Sequence, residues 1–282
     1  MAEYRYRILN VFATDGQRLS GNPLCVFEDG RGLDERTMQA LALQFNLSET
    51  TFILPSERAT ACVRIFTPAF EMPFAGHPTL GTAHVVRALR NAGDSVSLEM
   101  KAGVIPVTAT GDAWTLRANA PRRRAVEASR TQLAQMLGLD AHEVREGAAW
   151  IDTGSDQLIV PLAGPDAVAR CRPEVALLEK WAKVSDDRYL VYVWADAGPD
   201  ETQVRFFFRK GSAIVEDPGT GSACANLGGW HVCNGSLLPL TRRVQQRPSM
   251  GGPSELRLSV DAQGAIQVGG RVTELGHGVI RL

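Results

Sequence analysis

Surplus charge of either sign is missing from this chain. Over 282 residues, 30 Lys and Arg stand against 31 Asp and Glu, a formal net charge of -1. Nucleic acid and anionic membranes are held by clustered Lys and Arg, so the composition points to a small-molecule partner, with no nucleic acid and no membrane. Cysteine is sparse and unpatterned. Cys25, Cys62, Cys171, Cys224 and Cys233 are odd in number, widely spaced and without a C-x-x-C pair, which speaks against a disulfide framework or a zinc knuckle. An uninterrupted apolar segment is also absent from Met1 to Asn10, where Glu3, Arg5 and Arg7 intervene; a secretory leader needs one, so a cytoplasmic protein is expected. What remains is ordinary globular composition, 44% hydrophobic and 22% charged, long enough for two domains or one large one.

Charge is missing locally as well. Met72 to Val86 is a run of 15 residues without Asp, Glu, Lys or Arg, and Pro218 to Thr241 is a run of 24. Gly, Pro, Ser, Thr, Asn and His interrupt both, so neither is a membrane span of about 20 apolar positions. Each run has an acid, a Gly-rich turn and then a helix-forming stretch of small residues. In the first, Pro78 suits the first helical position, His77 the N-cap, and Thr79 to Arg90 ends at Asn91-Ala92-Gly93. In the second, Ser222 suits the N-cap and Ala223 to Cys233 ends at Asn234-Gly235. A helix without a polar face is covered on all sides, so both helices are expected at the centre of their surroundings.

Strand-like hexapeptides precede both helices: Val63-Arg64-Ile65-Phe66-Thr67-Pro68 and Val204-Arg205-Phe206-Phe207-Phe208-Arg209, offset by 204 minus 63, or 141. This repetition predicts two similar halves, residues 1–119 and 120–282, with the last strand free to return to the first half. Asn119 to Arg124, with Pro121 and three consecutive arginines, reads as the crossover between them. Further strands are predicted at Tyr4 to Phe12, Pro23 to Glu28, Thr51 to Leu54, Val104 to Ala109, Trp114 to Ala118, Gln157 to Val160, Tyr189 to Trp194, Leu256 to Val260 and Ala265 to Val268. Amphipathic helices fit Glu35 to Asn46, capped by Asp34 with Met38, Leu41, Ala42 and Phe45 on one face, then Ser129 to Gly138 and Pro173 to Val184. Sheet dominates with one buried helix per half, so the class is α+β.

Gly-rich turns at two helix starts offer unpaired N–H groups and a positive dipole end to a carboxylate or phosphate. The same glycines equally serve close packing of a helix on a sheet. Pro218-Gly219-Thr220-Gly221-Ser222 lacks the Lys of a phosphate-binding P-loop. Glu49, between Ser48 and Thr50, follows a helix and opens a β-rich run, where it is either an inward-facing carboxylate or a solvated loop acid. His77 is open to a local helix-start role, Asp217 to an Asx turn and Ser222 to a cap.

The segments Gly21-Asn-Pro-Leu24, Asn46-Leu-Ser-Glu-Thr-Thr-Phe52, Arg64-Ile-Phe-Thr-Pro68 with Glu71-Met-Pro-Phe-Ala-Gly-His-Pro-Thr-Leu-Gly81, and Glu216-Asp-Pro-Gly-Thr-Gly-Ser-Ala223 together resemble the PhzF-like phenazine-biosynthesis isomerases over nearly the whole chain. The resemblance implies a diaminopimelate epimerase-like fold, two pseudo-symmetric halves each made of a mixed sheet rolled round a central helix, with the active site in the cleft between them. It implies Glu49 as general acid/base, supported by His77, Asp217 and Ser222, with Ser48, Gly76 and Gly221 lining a small anionic substrate. It further implies no metal, no organic cofactor, and a homodimer. A carboxyl closed off from water has its pKa raised, which suits one group to remove a proton and return it elsewhere. The family's prototype moves a proton from C3 to C1 of trans-2,3-dihydro-3-hydroxyanthranilate. Phe208-Arg209-Lys210 stands where the family has an Ala-Pro-like step, and Gln44-Phe45-Asn46 replaces Glu-x-Asn, so substrate identity is less defined than fold; for Arg209 and Lys210, solvent exposure is the default reading.

Two other functions compete. A racemase or epimerase of this fold needs a thiol or its equivalent at each helix start; Gly76 and Ser222 hold those positions and Cys224 lies further along. A non-catalytic binder of small acids gains nothing from a carboxylate such as Glu49 facing its ligand. His77 and His84, seven apart, lack a third ligand at metal-binding spacing.

Overall fold

Runs of β-branched and aromatic residues make strand the commonest element of this chain, and a computed structural model describes residues 1–246 and 252–282 of it. The first part holds β1 (Glu3–Val11), β2 (Asn22–Phe27), α1 (Glu35–Phe45), β3 (Glu49–Leu54), β4 (Ala61–Phe66), β5 (Glu71–Met72), α2 (Gly76–Arg90), β6 (Ser95–Met100), β7 (Gly103–Thr110) and β8 (Ala113–Arg117). The second holds β9 (Arg122–Ala125), α3 (Arg130–Leu137), β10 (Ala149–Asp152), β11 (Asp156–Pro161), α4 (Pro165–Arg170), α5 (Val175–Trp181), β12 (Lys183–Ser185), β13 (Arg188–Asp196), β14 (Glu201–Lys210), β15 (Ala213–Glu216), α6 (Gly221–Cys233), β16 (Leu240–Gln246) and β17 (Ser254–Val260). A C-terminal strand, Ile266–Arg281, completes the order. Among the described residues, no helix is long and apolar enough to cross a membrane.

Two units result: Met1–Arg117 with Gly269–Leu282, and Ala118–Val268. The C-terminal segment Gly269–Leu282 lies with the first unit, a return for which the expected division at 119/120 left room. The reason is pairing, since the C-terminal strand lies antiparallel to β1 from Glu3↔Arg281 to Val11↔Val272.

In the first unit, β1, β2, β3, β4, β6, β7 and β8 pair in that order, and the C-terminal strand joins β8 to β1. The sheet therefore closes on itself. Helix α2 packs on β1, β2, β3, β4, β6 and β8, and its residues from His77 to Ala83 are all buried. Its approach is close: a Cβ on Gly81 would sit 2.5 Å from Leu24 Cδ2. Helix α1 covers the opposite face of the sheet with Met38, Leu41 and Ala42, over Phe27 and Phe52 stacked at 4.8 Å. Asp34 caps it by accepting from the Thr37 N–H at 2.8 Å, and Asn46 ends it in the left-handed region.

The second unit repeats the plan. Strands β9, β10, β11, β13, β14, β16 and β17 pair in order. Parallel pairs bridged by helices recur: β2–α1–β3 matches β11–α4–α5–β13, and β4–α2–β6 matches β14–α6–β16. Helix α6 is buried along most of its length, while α3, α4 and α5 cover the other face through Leu133, Leu137, Val168 and Leu178. Each unit is thus a mixed sheet around a central helix, an α+β fold.

Several expectations are corrected. The crossover at Asn119 to Arg124 includes β9, whose arginines face outward on a strand: Arg122 bonds Asp152 at 2.7 Å, Arg124 bonds Asp156 at 2.7 Å, and Arg124 lies over Trp150. The last strand runs far past Val268 because its glycines serve close contacts; a Cβ on Gly269 would meet the Trp114 carbonyl at 2.3 Å. His77 is not an N-cap, since Ala75 holds that position and Gly76 opens α2, and Pro78 is accordingly its third residue. Nor is Ser222, since Thr220 is the cap and Gly221 opens α6.

Candidate active site

Parallel pairing of β2 and β3 places their first residues, Asn22 and Glu49, toward the same edge of the first unit. The start of α2 meets them there. His77 Nε2 lies 3.2 Å from Glu49 Oε2, with side-chain exposures of only 7% and 15%. Asn22 Nδ2 lies 3.4 Å from Nδ1 of the same ring. Burial pushes the His77 imidazole down to about 3, opposed by its hydrogen bond to the Pro23 backbone, so the ring is neutral at ordinary pH. A neutral imidazole carries one N–H and one acceptor nitrogen. Asn22 offers it an amide N–H and Pro23 a carbonyl, which serves either tautomer. The ring can therefore donate to a Glu49 carboxylate, or accept from a Glu49 carboxylic acid, without becoming charged. Ser48 is half-buried immediately before Glu49, and Gly76 is the first residue of α2.

The second unit arranges Asp217, Gly221 and Ser222 by different bonds. The Thr220 hydroxyl donates to the Asp217 carboxylate. Gln246, fully buried, clamps this turn: its Nε2 donates to the Asp217 carbonyl at 2.6 Å and its Oε1 accepts from the Thr220 N–H at 3.0 Å. Ser222 Oγ accepts from Gln157 Nε2 at 3.0 Å, and Gln157 Oε1 accepts from Asn226 Nδ2 at 2.8 Å. Asn22 on β2 and Gln157 on β11 thus support the first turn of α2 and α6 from equivalent strands. Neither helix has a side-chain cap at its N-terminus, which leaves first-turn amides for an acceptor.

A matching ion pair anchors each Gly-rich turn. Arg64 on β4 binds Glu71 at 2.8 and 2.6 Å, which holds the Glu71 carboxyl below the usual range. Arg205 on β14 binds Glu216 at 3.0 and 2.5 Å and also donates to the carbonyls of Val168, Ala169 and Cys171. The offset of 141 had aligned Arg64 with Arg205; their carboxylate partners, with Gln157, Asn226 and Gln246, went unrecognised because no local pattern marks a long-range polar contact. Arg209 is not simply solvated: it bonds Glu179 at 2.5 Å and lies over the Tyr189 ring, whereas Lys210 is exposed. Burial pushes the Cys224 thiol up, so that it is no base. Among the described residues no cluster of His, Cys, Asp or Glu has the makings of a metal site.

A duplicated mixed sheet around two central helices is a fold found among known proteins. A family model described as Phenazine biosynthesis-like protein matches residues 9–280, and the chain belongs to that family, the PhzF isomerases. An uncharacterized isomerase of Pasteurella multocida is 39% identical over 99% of this chain and 94% of its own. The trans-2,3-dihydro-3-hydroxyanthranilate isomerase of Pseudomonas aeruginosa is 31% identical over 98% of each chain. Among solved structures, a Bacillus anthracis phenazine biosynthesis protein of the PhzF family aligns over 100% of both chains with a TM-score of 0.83 at 23% identity, a likeness of fold.

Proposed function

We propose that this chain is a cofactor-independent isomerase of a small carboxylate-bearing substrate, in which Glu49 shifts a proton by general acid/base catalysis. The observation that carries the reading is the Glu49 carboxyl 3.2 Å from an imidazole that burial keeps neutral. Glu49 takes a proton from one ring carbon, the electron pair of that C–H bond enters the shifting double bonds, and the protonated Glu49 returns the proton to another carbon. His77 stays neutral beside Glu49 Oε2 in both protonation states, while the carboxyl's other oxygen takes up and returns the proton. Asp217, Ser222 and the backbone at Ser48, Gly76 and Gly221 hold and orient the anion. The name of the Pseudomonas aeruginosa relative supports a cyclic dihydro-hydroxyanthranilate as the substrate to try first. The protein is further proposed to act as a cytoplasmic homodimer, which light scattering and cell fractionation test.

Proton NMR in deuterated buffer with trans-2,3-dihydro-3-hydroxyanthranilate decides the assignment. Wild type isomerises it, and Glu49→Gln loses at least about a hundredfold in rate, the usual contribution of a positioned acid/base group. Equal rates in both proteins would remove Glu49 from the chemistry.

A further inference from the structure

Behind Ser222 runs a chain of buried amides whose direction is fixed at its far end. The Asn226 side chain on α6 is fully buried and uses all four of its hydrogen-bonding positions. Its Oδ1 accepts from the Thr153 backbone N–H at 2.9 Å and from the Thr153 hydroxyl at 2.6 Å. Its Nδ2 donates to the Ser155 carbonyl at 2.7 Å and to Gln157 Oε1 at 2.8 Å. A backbone N–H only donates and a carbonyl only accepts, so the Asn226 amide has one orientation. Gln157 must then face Asn226 with its oxygen, and the end that meets Ser222 Oγ, at 3.0 Å, is the Nε2 donor. A serine hydroxyl has a single hydrogen. Since Gln157 supplies the hydrogen of the bond between them, the Ser222 hydrogen points elsewhere, and among the described residues nothing accepts it.

The fold itself does not require these amides. Strand pairing runs Phe27↔Phe52↔Arg64 in the first unit and Val160↔Val193↔Arg205 in the second, so Leu24, three residues before Phe27, holds the place of Gln157, three before Val160. Asn226 is the sixth residue of α6, as Gly81 is of α2. Where the first unit packs Leu24 against Gly81, the second buries a hydrogen-bonded pair, with Gln157 only 2% exposed. Replacing both partners of a buried bond by apolar groups is nearly neutral for stability, so the pair is not needed to hold the core. Its consequence is the orientation of Ser222. We propose that Gln157, held by Asn226, is a positioning residue that makes Ser222 a hydrogen-bond donor to the substrate, so that the substrate group at the start of α6 is an acceptor, its carboxylate. The Ser222 hydroxyl is half-buried on the first turn of α6, beside backbone amides that also donate; an ammonium group there would meet donors alone. The identity of the substrate rests on the isomerase reading above, whereas the direction of the amide chain does not.

Neutron diffraction from the whole deuterated protein tests the direction of the chain without any ligand. The Ser222 deuterium should point away from Gln157; a deuterium on the line from Ser222 Oγ to Gln157 overturns the proposal, whatever the protein turns over. The consequence for substrate is tested by a double-mutant cycle on the isomerisation of trans-2,3-dihydro-3-hydroxyanthranilate. Ser222→Ala should raise KM about tenfold or more, as befits a lost hydrogen bond to a charged group, with kcat held within about threefold. Gln157→Glu still accepts from Asn226 but draws the Ser222 hydrogen inward, and should raise KM by a similar factor. In the Ser222→Ala background the same change should add less than about twofold. A disturbed core, or plain repulsion of the substrate by the new carboxylate, would exact its full effect in both backgrounds, and that additive result overturns the proposal. Gln157→Met, apolar and of similar length, serves if Gln157→Glu does not fold, and should raise KM severalfold and obey the same cycle. Wild type inert toward this compound would remove the proposed substrate and leave diffraction to decide the chain, whereas active wild type with an additive cycle would sink the role of Gln157 alone.

Discussion

At the scale of single residues, the decisive feature is an imidazole denied its charge. His77 is buried, and its folded-state pKa is held near 3, so NMR of the ring should show no titration between pH 5 and 8. Its carbon-bound proton shifts should stay flat through the region near 6.5 where a solvated histidine turns over. A midpoint within that window would mean that the pair with Glu49 is an ion pair, and the neutral imidazole of the proposed mechanism would fall. Cys224 makes the contrasting case. It is fully buried, with its thiol pushed up by desolvation, so Cys224→Ala should cost about 1–2 kcal/mol of stability through the space it leaves and less than twofold in turnover. Loss of turnover with the fold intact would revive the thiol-based racemase. Position beside a turn or helix start left Glu49, His77, Asp217 and Ser222 open to solvated, capping or turn roles, and only the family resemblance singled them out together. Their partners Gln157 and Gln246 were not legible, since a glutamine far along the chain announces nothing until strand pairing delivers it.

At the scale of elements, the central helices are held by what they lack. On α6 a Cβ at Gly229 would lie 2.8 Å from Pro121 Cβ and 2.9 Å from Ile151 Cγ2. The proline ring has little freedom to yield. Gly229→Ala should therefore lower stability by about 1–3 kcal/mol, the usual cost of overpacking, despite alanine's better helix propensity. Gly93→Ala, with nothing within 4 Å of the added carbon, should stay within about 0.5 kcal/mol. Denaturant melts of the two variants check this, and an unchanged Gly229→Ala would mean that the helix rides loosely. The ion pair ahead of α6 allows a harsher test. Arg205 is 3% exposed and its carboxylate partner is Glu216, so Glu216→Gln strands a buried charge and should cost about 3–5 kcal/mol. Helix α1 was readable to within a residue because Asp34, its apolar spacing and Asn46 all act locally. Strand β9 was misread because three arginines resemble a solvated linker; Arg122 and Arg124 pair with Asp152 and Asp156 across the neighbouring strands. The glycines of the C-terminal strand hid it in the same way.

At the scale of the whole molecule, each unit holds one strongly depressed histidine at a different place along its central helix, His77 in the first and His231 in the second. Both are neutral when folded, with folded-state values of about 3 and about 4 against an ordinary 6.5. Between about pH 4 and 6.5 the unfolded chain therefore binds protons that the folded chain refuses. Stability rises with pH across that window and is lost as the pH falls below about 6.5, at up to about 1.4 kcal/mol per pH unit for each ring. From pH 7 to pH 5 the two together remove on the order of 3–4 kcal/mol, and His84, whose value burial also lowers, acts in the same direction. Urea unfolding at both pH values measures the difference. The Glu71 carboxyl, held low by Arg64 against an ordinary 4.5, adds its own loss mainly below about pH 5. If the two units unfold in a single transition, both histidines contribute to one slope, and His231→Gln should reduce the loss by about 2 kcal/mol. If they unfold separately, His231→Gln should flatten only the transition of the second unit and leave that of the first as steep as before. A midpoint that does not move between pH 7 and pH 5 would show that neither ring stays neutral in the folded protein, and with that the pairing of a neutral His77 with Glu49 would be lost.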